Sequence, residues 1–189
     1  MTKKRRRTKK TTTNLAKRQN LGKGGKRVKV YTVKDVFTGM QRAIEAHRLL
    51  ATKTLKEQIV VFEETGSLSA IRMPSYYPKR FTTADGESWK LSLRMRNFLY
   101  HGVTCSQCKI EGQYFIAEKF SANEERPHLN LYARDTVHDE VLMTHDHIVP
   151  RSAGGSDTIK NVTTMCTMCN TFKSKMVPSF VTSHNLTHA

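Results

Sequence analysis

From about Asp35 the apolar positions recur at helical spacing, with Phe37, Met40, Ile44 and His47 on one face. A second helix is expected from Thr54, where Thr54 and Glu57 have the spacing of a capping box. It would bury Leu55, Ile59 and Phe62 and stop at Gly66, so the two form a helical hairpin. Ahead of them, "VKVYTV" (28–33) reads as a short strand or as more linker. Residues 72–86 hold two prolines and several turn formers and read as a loop. In "ESWKLSLRMRNFLYHG", Leu91, Met95, Phe98 and Leu99 make an apolar stripe, with Lys90, Arg94 and His101 on another face. The aromatic and β-branched runs "QYFIAEKF", "HLNLYAR" and "EVLMTHDHIV" then predict strands. "TIKNVTTMCTMCNTFKSKM" predicts a short strand or turn followed by a helix. No segment repeats.

Charge divides the chain. Residues 1–30 contain 13 Lys and Arg and no acid, whereas the other 159 residues carry 19 basic against 16 acidic. A nearly balanced domain therefore follows a cationic arm, in which Lys3, Lys4, Arg5, Arg6 and Arg7 are the densest cluster. Such an arm attracts polyanions through counterion release. A solvated tail or a nuclear-import address would have the same composition. No stretch approaches the ~20 apolar residues of a membrane span, and no apolar segment follows the N-terminal charges as in a secretory signal. An intracellular protein is expected, in cytoplasm or nucleoid, with reduced thiols.

Four cysteines make two Cys-x-x-Cys pairs, Cys105 with Cys108 and Cys166 with Cys169. Each pair can clamp one side of a tetrahedral ion, so together they predict a closed, structural zinc site. The 57 residues between the pairs are too many for a compact zinc ribbon, so other structure is looped out there. Met165 and Met168 read as packing around the cysteines.

Beside the second pair runs "DHIVPRSAGGSDTIKNVTTMCTMCNTFKSK". Its order of Asp-His-Ile-x-Pro, Gly-Gly, Asn and Cys-x-x-Cys-Asn resembles the HNH endonucleases of the ββα-metal superfamily, in their zinc-containing four-cysteine branch. The resemblance covers residues 105–175 at most. It implies an α+β fold: a small ββα-metal core stapled by a zinc knuckle, preceded by a helical extension and a disordered basic arm. On this basis 1–30 is the arm, 31–86 the extension and linker, 87–178 the nuclease domain and 179–189 a loose tail.

The chemistry matches these residue types. Phosphodiester hydrolysis needs an activated water and a Lewis acid near the leaving oxygen. His147 can take a proton from water, as imidazole does near neutral pH. Asp146 and Asn170 offer hard oxygens to one magnesium or other divalent cation, with water and phosphate completing its shell. The resemblance implies that Asn161 ties the loop and orients His147. Arg151 and Lys173 flank the site and are candidates for phosphate contact. Asp146 as a turn residue, Asn161 as an Asx-turn or Asn170 as a helix-start residue would each suffice singly, but not together at this spacing. Adjacent strand residues face opposite ways, so the strand must twist or end near His147, which Pro150, Gly154 and Gly155 allow. His145 is expected to be exposed, and His47, His101, His128 and His138 structural or solvated. The expected partner is DNA, with RNA as an alternative substrate and a homodimer left open. The competing function is a zinc-stapled nucleic-acid-binding protein without catalysis.

Overall fold

The computed structural model describes residues 25–65, 75–134, 136 and 139–176. The five arm cations from Lys3 to Arg7, His138 and the expected C-terminal tail lie outside them. Five antiparallel strands make the main sheet: β1 (Lys26–Thr32), β2 (Gly112–Lys119), β3 (His128–Ala133), β4 (Val141–His147) and β5 (Val162–Cys166), in that order. A small hairpin, β6 (Arg80–Thr82) with β7 (Ser88–Lys90), stands apart from it, and the helices are α1 (Val33–Thr65), α2 (Leu93–His101) and α3 (Thr167–Met176). Helices and strands mix without βαβ repetition, an α+β fold.

Alternation along the strands sorts the two faces of the sheet. Phe115, Ala117, Leu129, Leu131, Val141 and Met143 are buried in one core with Val36 and Met40 of α1 and Met95 and Phe98 of α2. Each fully buried side chain of this size contributes about 1.5–3 kcal/mol. The Phe98 and Phe115 rings meet edge to face at 6.2 Å, seating α2 on β2. The other face combines the buried Ile116 with a polar network. There the fully buried Glu118 accepts hydrogen bonds from Tyr132 Oη and from Asn130 Nδ2, and Arg27 Nε lies 3.5 Å from its second oxygen.

The structure decides one open reading and departs from the sequence expectations at two elements. Residues 28–32 are strand and Val33 opens α1; β1 pairs with β2 from Lys26 opposite Lys119 to Thr32 opposite Tyr114, with a register shift between Arg27 and Lys29. It crosses the boundary drawn at residue 30 and joins the sheet of the segment expected to form the nuclease domain. The expected helical hairpin is a single helix of 33 residues. Thr54 and Glu57 lie inside it, because no Gly or Pro interrupts residues 46–56 and most of those residues favour helix. Mid-helix hydroxyls are satisfied locally, as when Thr52 Oγ1 donates to the Arg48 carbonyl at 2.9 Å. The capping interaction occurs instead at Thr32 and Asp35: the Asp35 N–H donates to Thr32 Oγ1 at 3.0 Å, and that hydroxyl donates to Asp35 Oδ2 at 2.7 Å. Finally, the loop expected over 72–86 includes β6, and Ser88–Lys90 is strand. Helix α2 starts only at Leu93, where Ser92 Oγ accepts the Met95 N–H.

Candidate active site

Strands β4 and β5 form a hairpin that continues into α3. Pairing runs without a break from Met143 opposite Cys166 to His147 opposite Val162. Asp146 and His147 therefore lie in regular strand and leave it on opposite faces. The expected irregularity begins one residue later, at Ile148, whose N–H donates to the Asn161 carbonyl at 2.9 Å.

The loop 148–161 is closed by its own backbone and by one amide side chain. Asn161 Oδ1 accepts the Val149 N–H at 2.9 Å, and Asn161 Nδ2 donates to the carbonyls of Val149 and Ser156, both at 3.0 Å. Pro150 O accepts from the N–H groups of Ala153 and Gly155. Gly154 has φ +83°, a left-handed conformation that favours glycine. A Cβ on Gly155 would fall 1.8 Å from the Val149 carbonyl oxygen, so only glycine fits there. Asn161 thus ties the two ends of this loop together.

The side chains that the motif singled out divide between the faces of β4. On the α3 side, Asp146 is half-buried, and Lys173 Nζ donates to its Oδ2 and, at 3.0 Å, to the His147 carbonyl. Asn170 precedes Lys173 by three residues and shares its face of α3. Its carbonyl accepts from Ser174 Oγ at 2.9 Å. On the other side, His147 Nε2 meets Asp157 Oδ1 at 2.7 Å. A carboxylate only accepts, so Nε2 carries the proton of this bond and Nδ1 keeps the lone pair. The hydrogen bond from His147 holds the Asp157 carboxyl below the usual carboxylate range, although Asp157 is fully exposed. Arg151 is exposed and pairs with Asp157 at 3.7 Å.

His145 departs from expectation. It is half-buried, its ring centroid 5.7 Å from that of His147, and its Nδ1 is buried without a hydrogen-bond partner. Burial lowers its pKa, and the neighbouring Arg94 charge lowers it further, both favouring the neutral ring. Arg94 of α2 donates to Asn130 Oδ1 at 2.8 Å, linking this corner to the buried Glu118 network. Helix α2 is also tied to the hairpin directly. Buried Asn97 donates to Thr164 Oγ1 at 2.8 Å, and His101 Nε2 meets the Ile159 carbonyl at 2.7 Å. Of the remaining histidines, His47 Nε2 contacts the Ser75 carbonyl at 2.6 Å, and exposed His128 lies 3.7 Å from Glu124.

The four cysteines converge. Cys105 and Cys108 sit on the turn after α2, while Cys166 ends β5 and Cys169 lies in the first turn of α3. Their Sγ atoms all lie within 4.8 Å of one another, and those of Cys108 and Cys166 are 3.7 Å apart. Four thiolates on one zinc at Zn–S ≈ 2.3 Å would stand about 3.8 Å apart, so the cluster has the dimensions of a tetrahedral site. Lys109, at φ +64°, is the one positive-φ residue other than glycine among the described residues, and it closes the turn by donating its N–H to the Cys105 carbonyl at 3.1 Å. Burial would raise the Cys105 thiol, but backbone N–H donors from Cys166, Cys108 and Gln107 outweigh it and hold the group at about 7. Burial and the neighbouring thiols push Cys169 up to about 12. Cys105 is therefore easier to ionise than Cys169, and a cation held among the sulfurs would favour the thiolate form. Met165 is buried against this cluster, as expected, whereas Met168 is exposed at its edge.

A second concave surface lies beyond α2. It is a groove of about 590 Å³ lined by Tyr76, Tyr77, Lys79, Arg80, Lys90 and Arg96, without an acid. The Arg96 guanidinium lies 4.7 Å from the centre of the Tyr77 ring.

Residues 133–186 match the family model described as HNH endonuclease. The match spans under a third of the chain, takes in the whole β4–loop–β5–α3 unit, and leaves out Cys105 and Cys108. The segment 133–186 is thus similar to HNH endonucleases, which points to nuclease activity in general, and the chain has a four-cysteine cluster able to hold a metal ion. Searches of the curated proteins and of the solved structures returned no match. Among the described residues, no helix is long and apolar enough to cross a membrane. Two contributors to the site escaped the sequence reading. Asp157 had a signal, an acid four residues before Asn161; Arg94 was read only as part of a polar helix face.

Proposed function

We propose that the protein is a metal-dependent endonuclease that hydrolyses DNA phosphodiester bonds. The observation that carries this reading is the pairing of His147 with Asp157 at the loop that Asn161 closes, with Asp146 and Lys173 on the opposite face of the same strand. Mere binding of nucleic acid needs no carboxylate beside an oriented imidazole. His147 is the general base: Asp157 holds its Nε2–H, and Nδ1 accepts the proton of the attacking water. Asn161 acts through His147 as a positioning residue, by fixing the loop that carries Asp157.

Asp146 and Asn170 would hold one divalent cation, for which magnesium is the natural choice. Lys173 Nζ holds Asp146 Oδ2 in the structure, so it would yield that oxygen when the cation binds. When bound, that cation would supply Lewis-acid stabilisation of charge at the phosphate. Zinc is the ion proposed for the four cysteines, in a structural role, because four sulfurs leave no position open for chemistry. The arm, with Lys3, Lys4, Arg5, Arg6 and Arg7, and the groove lined by Lys79, Lys90 and Arg96 would contact the backbone of the nucleic acid, and Arg151 a phosphate near the loop.

Incubation with supercoiled plasmid, in magnesium and in EDTA, tests the reading. Nicked or linear product that requires magnesium is expected. A plasmid that is shifted but never cut, with branched DNA and RNA also left intact, would instead favour a zinc-stapled binding protein.

A further inference from the structure

Helix α1 has two unlike halves. Val36 and Met40 are fully buried, Phe37, Ala43 and Ile44 pack against the same core, and no later residue of α1 belongs to that cluster among the described residues. Beyond His47 the helix runs on for 18 residues to Thr65. That half exposes Leu49 (64%), Leu50 (62%), Val60 (51%) and Val61 (43%) on one face, with Ile59 (48%) off it. Large apolar side chains exposed together on one element mark an interaction surface.

Their spacing defines a single seam. Ala46, Leu49–Leu50, Lys53, Glu57, Val60–Val61 and Glu64 recur every three or four residues and share one face of the helix. The seam is also symmetric about Leu55. Leu50 and Val60, Leu49 and Val61, and Lys53 and Glu57 lie at equal distances on either side of that residue. The charges divide at the same place. Residues 46–56 contain Arg48, Lys53 and Lys56 and no acid, while 57–65 contain Glu57, Glu63 and Glu64 and no base. Acids at the C-terminal end of a helix oppose its dipole, and no basic residue stands in the last turn of α1.

We propose that a second copy of this chain packs antiparallel along this face, related by a two-fold axis at Leu55. In that register Leu50 meets the partner's Val60, Leu49 meets the partner's Val61, and Lys53 meets the partner's Glu57. Each contact occurs twice, as a two-fold interface requires. The basic half of one helix covers the acidic half of the other, and cations of the partner offset the acids near the end of α1. A parallel arrangement would set Lys53 against Lys53 and Glu57 against Glu57. This association goes beyond the nuclease reading and does not depend on it. If that reading holds, the dimer carries two sites and can cut both strands.

Sedimentation of the full-length, zinc-loaded protein over a wide concentration range tests the proposal. A reversible dimer is expected, and Leu50→Asp should convert it to monomer with an unchanged circular dichroism spectrum. Lys53→Glu and Glu57→Lys should each weaken association by about tenfold, and the double variant should recover most of it. Monomer at every concentration would overturn the proposal. So would a dimer that Leu50→Asp leaves intact, or one in which the double variant is no tighter than either single variant. Association is read without substrate, so a protein that dimerises but never cuts would count against the nuclease reading alone.

Discussion

The four-cysteine cluster and the oxygen site proposed at Asp146 are built differently. The four-cysteine cluster is closed: two elements far apart in sequence bring four sulfurs together, and backbone N–H groups already donate to Cys105 and Cys166. The oxygen site proposed at Asp146 would be open: one carboxylate, paired here with Lys173, and the amide proposed to join it, beside a loop held by Asn161. Closed sites fix a fold, whereas open ones leave coordination positions for substrate and water. Here they are in series, since Cys169 and Asn170 are neighbours on α3. An ion that anchors Cys169 also fixes where Asn170 and Lys173 stand.

The largest effect should come from breaking the closed site. Structural zinc contributes on the order of 10 kcal/mol to the folding of small domains. Cys166→Ser should therefore abolish stoichiometric zinc binding and cooperative thermal unfolding, as read by metal analysis and calorimetry. Retention of both would mean that the cluster is not a metal site.

His147→Ala should act on the open side alone. A loss of about 10²–10⁴-fold in cleavage rate is expected for removal of a general base, with zinc content and melting temperature unchanged.

Gly155→Ala and Asn161→Ala strike the loop between the two. Gly155→Ala forces a Cβ against the Val149 carbonyl, and Asn161→Ala leaves the Val149 N–H and two carbonyls without their partner. Each should cost about 1–3 kcal/mol in chemical denaturation and lower the cleavage rate through misplacement of Asp157. A normal rate in a destabilised Asn161→Ala protein would make its role purely structural.

Smaller still is Asp157→Asn, which keeps the shape but removes the charge that orients His147. About tenfold in rate is expected, with a changed pH–rate profile. The pH dependence of stability has a definite sign. The Asp157 carboxyl is lowered in the folded protein by its bond to His147, so its contribution is present above the ordinary carboxylate range. That contribution disappears as pH falls through the lowered folded value. The same acid titration of Asp157→Asn should show a slightly flatter decline.

Legibility in the sequence followed the range of the interactions. The cysteine pairs, Asp146-His147 and Asn161 stand out because each is a chemical group at a fixed local spacing. So do the strands around them, whose aromatic and β-branched residues alternate. What stayed hidden depends on distant partners. The pairing of β1 with β2 joins residues more than eighty positions apart, and nothing within "VKVYTV" specifies its neighbour. Thr54 and Glu57 have the spacing of a capping box, yet such a pair caps only where a helix begins, and nothing there ends the one before it. Lys173 reads as a candidate phosphate contact, and only the folding of α3 over β4 shows it set against Asp146. Arg94 is similar: only the packing of α2 shows that its half-buried guanidinium faces His145 and Asn130.

The most direct test combines both cation sites in one preparation. Wild-type and His147→Ala proteins, matched for zinc content, would be compared for plasmid cleavage as magnesium is raised from zero. The account predicts magnesium-dependent cutting by the wild type and none by the variant, with zinc bound equally to both. Equal cutting by the two proteins would remove His147 from the chemistry and contradict the account.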